Sequence, residues 1–104
     1  MRACQIEEFG GPEVLQVVDV PQPEPGEGEV LIEVVRSGMN FADTHQRENS
    51  YLARYETPLI LGGEVAGETS DGRRVVALVA QGGYAEYAVA HEAAVYPIPD
   101  GLDA

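Results

Sequence analysis

A chain of 104 residues with 44% hydrophobic side chains suits one compact domain with a modest core and leaves no room for a second. Eighteen acidic residues face six arginines and no lysine, a formal net charge of −12, so a nucleic-acid backbone would be repelled. Cys4 is the only cysteine, which excludes an intramolecular disulfide and fits a reducing, cytoplasmic setting. Charges at Arg2, Glu7, Glu8, Glu13 and Asp19 break up the opening segment where a signal peptide or membrane span would need an apolar run.

The segments 2–7 and 14–20 are predicted strands, joined as a hairpin by Phe9-Gly10-Gly11-Pro12-Glu13, whose glycines and proline supply turn chemistry. Pro21-Gln22-Pro23-Glu24-Pro25-Gly26 cannot donate a regular ladder and should run extended along the surface. The strongest strand covers 30–35, with Val30, Ile32 and Val34 on one face and Leu31 and Val35 flanking Glu33 on the other, a pattern that predicts burial of both.

After Ser37-Gly38 the pattern changes, and Asn40 or Asp43 can cap a short helix running through Thr44, His45, Gln46 and Arg47. Pro58-Leu59-Ile60-Leu61 then leads to the glycine-framed acidic turn Gly62-Gly63-Glu64-Val65-Ala66-Gly67. Further short strands are predicted at 65–68, 75–79, 84–90 and 95–98, separated by turns at Asp71-Gly72 and Gln81-Gly82-Gly83. Short strands with no long amphipathic helix point to a mainly β fold, a small barrel or partly open sandwich. A dinucleotide-binding sheet is not predicted, because Gly62-Gly63-Glu64-Val65-Ala66-Gly67 lacks the glycine spacing and the following helix of a phosphate loop, and Gly26-Glu27-Gly28 lacks the preceding strand.

Five landmarks occur in a specific order: Glu8-Phe9-Gly10-Gly11-Pro12-Glu13-Val14-Leu15, Pro25-Gly26-Glu27-Gly28-Glu29-Val30-Leu31, Gly38-Met39-Asn40-Phe41-Ala42-Asp43, the Glu64 turn, and Gly82-Gly83-Tyr84-Ala85-Glu86-Tyr87. In that order they resemble the amino-terminal, GroES-like domain of the medium-chain dehydrogenase/reductases, and among these the zinc-free, zeta-crystallin-like quinone oxidoreductases. The resemblance covers nearly the whole of 1–104. It implies a partly open GroES-like β-barrel with short helices, belonging to a longer enzyme whose Rossmann domain, absent here, holds NADPH. The stretch after Gly67 is shorter than is usual in that family.

Zinc-dependent members of the superfamily place cysteine near position 40 and histidine near position 63, since zinc needs thiolate and imidazole ligands around an open position. This chain has Asn40 and Gly63, and Cys4, His45 and His91 have no recognisable ligand spacing, so no zinc is expected. A quinone or enone carbonyl must then be oriented by neutral donors while hydride arrives from the nicotinamide. By resemblance, Asn40 lies beside both nicotinamide and substrate, and a tyrosine beyond the short helix faces the same cleft. Tyr51 is the candidate and Tyr55 its alternative, because the intervening spacing departs from the family's.

The resemblance also gives Asp43 a place near the cofactor, against which stands an ordinary helix-start role favoured by the dipole. Glu64 is read as fixing backbone amides in its turn or contacting an adjoining domain. Tyr84 and Tyr87 are read as core packing on opposite strand faces, and Arg73 and Arg74 as solvated turn charges, or more weakly as interdomain contacts. The expected function is the substrate-side domain of an NADPH-dependent quinone or enone reductase, catalytically incomplete alone, with a small-molecule substrate, no nucleic-acid or membrane partner, and room for a homodimer of the complete enzyme. The alternative is a free-standing GroES-like binding or assembly module without redox chemistry.

Overall fold

Where valine and isoleucine alternate with polar residues the chain is extended, because β-branched side chains are stiff and pack well on a pleated surface. The computed structural model describes residues 1–50 and 54–104. Among the described residues the strands are β1 (Arg2–Ile6), β2 (Gln16–Asp19), β3 (Glu29–Gly38), β4 (Leu59–Ile60), β5 (Glu64–Thr69), β6 (Arg74–Leu78), β7 (Tyr87–His91) and β8 (Val95–Pro97). One α-helix, α1 (Phe41–Glu48), interrupts them, and single 3-10 turns occupy Pro12–Val14 and Glu92–Ala94.

Strand β1 is the middle of a three-stranded antiparallel sheet, β2-β1-β4, with Arg2 opposite Asp19 and Gln5 opposite both Gln16 and Ile60. The hairpin expected between the first two strands is therefore present. The other strands form a five-stranded antiparallel sheet in the order β7-β3-β5-β6-β8, curled into a half-barrel. Ala3 bridges Ala85, and the Cys4 N–H donates to the Tyr84 carbonyl at 2.8 Å, which joins the two sheets. The mainly β, partly open architecture expected from the sequence is what the chain adopts.

Each sheet covers its own apolar cluster. Ile32, Val65, Val75, Ala77, Ala88 and Ala90 form the core inside the curl, and Ile6, Val14, Leu59 and Leu61 form a second one, with Phe9, Tyr55 and Tyr84 packed against it. The predicted inner face of β3 holds, with Ile32 fully buried, but its second apolar face does not. Val35 is 56% exposed, because the pairing of β3 with β5 slips between Val34 and Arg36 and turns this end of the strand outward. Opposite the slip sits Gly67, where a β-carbon would lie 2.0 Å from the Glu33 carbonyl oxygen, so glycine lets the two backbones meet.

Candidate active site

At Gly38 the β3 ladder ends and the chain turns into α1. Asn40 is the N-cap, with extended backbone angles (φ −128°, ψ 152°) as that position requires. Its carbonyl accepts the Asp43 N–H at 2.9 Å, and its own N–H donates to the Asp43 carboxylate at 3.0 Å. Asp43 thus satisfies an orphan donor at the positive end of the helix.

The same carboxylate oxygen also accepts the Tyr84 hydroxyl, and Asp43 is only 8% exposed. Tyr84 does not continue β7, which starts at Tyr87; it lies in the loop before it, its N–H donating to the Leu61 carbonyl at 2.8 Å. The Gly82-Gly83 turn pulls this stretch away from the ladder and toward the Gly62 turn. Burial, reinforced by the hydrogen bond to Asp43 and by that group's charge, pushes the Tyr84 phenol well above the ordinary tyrosine range. Tyr84 accordingly remains a neutral donor.

One turn further along α1, buried Gln46 reaches the same loops. Its Oε1 accepts the Gly62 N–H at 3.2 Å and its Nε2 donates to the Ala80 carbonyl at 3.1 Å. Asp43 and Gln46 are the two buried residues of the helix, so α1 docks through polar side chains three positions apart on one face. Its C-terminal end is tied down as well: Arg47 donates through Nε to the Gly10 carbonyl at 3.0 Å, and the Gly10 N–H donates to the Arg47 carbonyl at 3.1 Å. The sequence reading missed Gln46 and underrated Tyr84. The available signal was that Phe41-Ala42-Asp43-Thr44-His45-Gln46-Arg47-Glu48 offers only Phe41 and Ala42 as apolar anchors.

This arrangement holds the backbone of Asn40 while leaving the residue at the surface, between Met39 (85% exposed) and Phe41 (79% exposed). Phe41 meets the His45 ring edge-on, with centroids 5.0 Å apart. Two residues upstream, Gly38 borders a groove of ≈ 500 Å³ on the outer face of the five-stranded sheet, walled by Glu64, Ala66, Val76, Leu78 and Tyr96. Glu64 opens β5 rather than sitting in the turn, and its carboxylate lies against Gly38.

Of the remaining candidates, Tyr51 lies outside the described residues, and Tyr55 is half-buried against the second core, its N–H donating to the Asn49 side chain at 3.3 Å. Arg73 pairs with Asp71 and Glu92 (3.3 and 3.1 Å), while Arg74 opens β6 and donates to the Leu102 carbonyl. The Cys4 thiol is pushed up by burial. His91 caps the turn at Glu92 by accepting the Ala93 N–H at 3.1 Å. No group of three or more His, Cys, Asp or Glu that could hold a metal ion occurs among the described residues.

Residues 26–100 match the alcohol dehydrogenase GroES-like domain. The chain belongs to this family. It is 42% identical to the quinone oxidoreductase of Lama guanicoe and 38% identical to that of Homo sapiens, in each case over 99% of its own length and 35% of the relative's. A quinone oxidoreductase from Thermus thermophilus, solved also in complex with NADPH, superposes with a TM-score of 0.90 at 46% identity, covering 99% of this chain and 34% of that one. The Escherichia coli quinone oxidoreductase complexed with NADPH gives 0.92 at 30% identity, with 99% and 35% covered. The chain thus sits in the quinone oxidoreductase branch of the medium-chain dehydrogenase/reductases and spans about a third of the length of the relatives it matches. Among the described residues no helix is long and apolar enough to cross a membrane.

Proposed function

We propose that this GroES-like chain supplies the substrate side of an NADPH-dependent quinone or enone reductase, cytoplasmic and dimeric when complete, and inactive without a nucleotide-binding domain. The observation that carries the reading is Asn40: its backbone is fixed by the buried Asp43 carboxylate, and the residue itself stays at the surface between two exposed apolar side chains. A flat, conjugated acceptor suits such a place, with Met39 and Phe41 covering its faces and limiting water.

NADPH, bound mainly by the complementary domain, would supply the hydride. As the acceptor is reduced, negative charge grows on its carbonyl oxygen, and a preorganised neutral amide donor stabilises that charge without needing to reorganise. Asn40 takes this role, Tyr51 is the second donor, and Asn40 with Asp43 borders the nicotinamide edge. Because Asn40 and Gly63 offer neither thiolate nor imidazole, the proposed reaction is zinc-independent.

The test joins the chain to the NADPH-binding domain of a quinone oxidoreductase relative. Quinone-dependent NADPH oxidation is expected, falling on the order of a hundredfold in Asn40→Ala, as for loss of one preorganised donor, while the fold persists with a loss of about 0.5–2 kcal/mol from the N-cap. Unchanged turnover in that variant would remove Asn40 from the mechanism, and vigorous NADPH oxidation by the 104-residue chain alone would contradict its incompleteness.

A further inference from the structure

Beneath Asn40 lies a phenol that the reaction just described does not use. We propose that Tyr84 is a positioning residue for Asn40, acting through the Asp43 carboxylate oxygen that receives both the Tyr84 hydroxyl and the Asn40 N–H. This deepens the reductase reading and, for its kinetic consequence, rests on it.

Three observations support the link. The base of Tyr84 is fixed on both sides, its N–H donating to Leu61 just beyond β4 and its carbonyl accepting the Cys4 N–H of β1, each at 2.8 Å, so the residue is tied at two points to the three-stranded sheet. Its ring lies on the Gly62 turn, where a β-carbon on residue 62 would come within 2.7 Å of the ring's Cδ1. And a carboxylate has about four lone-pair directions over two oxygens, so Asp43 facing the Asn40 amide alone would be free to rotate and exchange them. The phenol holds one oxygen in place. The tie that sets the N-cap therefore runs from the three-stranded sheet through Tyr84 and Asp43 to Asn40, and Gln46 keeps the next turn of the helix on the neighbouring loops.

Removing the hydroxyl while keeping the ring isolates this role. In the ¹⁵N-labelled chain, Tyr84→Phe is expected to speed hydrogen exchange of the Asn40 amide about tenfold, the scale of losing support for one hydrogen bond, and to shift its resonance. Amides of β3, β5 and β6 should exchange as before. Asp43→Ala, which removes the acceptor altogether, should release the same amide. Wild-type exchange at Asn40 in Tyr84→Phe would overturn the proposal, whereas a merely packing tyrosine would leave that amide untouched. In the fused reductase, Tyr84→Phe should lower kcat about ten- to a hundredfold with the KM for quinone little changed, since a displacement of about 1 Å at the reacting centre has effects of that order. Full kcat would equally overturn it. A wild-type fusion without turnover would refute the reductase reading alone, because the exchange measurement on the unfused chain decides the positioning link by itself.

Discussion

Substituting Gly62 by alanine separates two costs that the turn imposes on its backbone. Gly62 has φ +109°, and an added β-carbon would lie 2.7 Å from the Tyr84 ring, 2.8 Å from the Tyr84 nitrogen and 2.9 Å from the Gly83 Cα. The left-handed conformation costs a non-glycine residue ~1–3 kcal/mol. Crowding against backbone atoms, which cannot swing aside, adds ~1–3 kcal/mol in the manner of overpacking. The sum, about 2–6 kcal/mol, is a large part of the ~5–15 kcal/mol that holds a domain of this size together. Gly82 provides the control, since it has φ +94° with nothing within 4 Å of a β-carbon. Gly82→Ala should therefore show the conformational cost alone. Urea unfolding followed by circular dichroism should give a midpoint for Gly62→Ala well below that of Gly82→Ala, with equal slopes in both. Equal destabilisation would refute the steric argument, and a loss under about 1 kcal/mol in Gly62→Ala would refute the strain argument as well.

Gln46→Ala should cost about 2–4 kcal/mol, because the Gly62 N–H and the Ala80 carbonyl both lose their partner beside a residue that is 4% exposed; an equilibrium denaturation curve unchanged from wild type would contradict that. In an alkaline titration followed by tyrosinate absorbance, a late step above the ordinary tyrosine value near ~10 should appear and Tyr84→Phe should abolish it; a late step that survives in Tyr84→Phe, or none in wild type, would count against the buried phenol. The sign of the linked stability follows from the raised value. Tyr84's contribution is fully present below the unfolded tyrosine's pKa and is lost as pH rises toward its folded value, so wild type and Tyr84→Phe should converge in stability at alkaline pH.

The strands were legible because alternation of Val30, Ile32 and Val34, and of Val75 and Ala77, reports which face meets the core, a matter of local pattern. The N-cap was legible for the same reason, Asn40 and Asp43 standing at capping positions within three residues of each other. What pattern could not reveal was anything depending on a partner distant in sequence. Val35 reads as a second buried face until the slip against β5 turns it outward, and Tyr84 reads as strand until the Gly62 turn draws it aside. Asp43 and Tyr84 are 41 residues apart, and nothing local to either announces the hydrogen bond between them. Gln46 looks like an ordinary polar helix residue for the same reason, its two partners lying 16 and 34 residues away.

Most short helices in small domains are held by oily contacts, whose strength fades on cooling. Here α1 is seated by Asp43 and Gln46 instead, and directed bonds of that sort do not share the fading. The seat of the patch around Asn40 should consequently hold its strength toward freezing temperatures, where the hydrophobic stabilisation of the valine-lined interior has weakened.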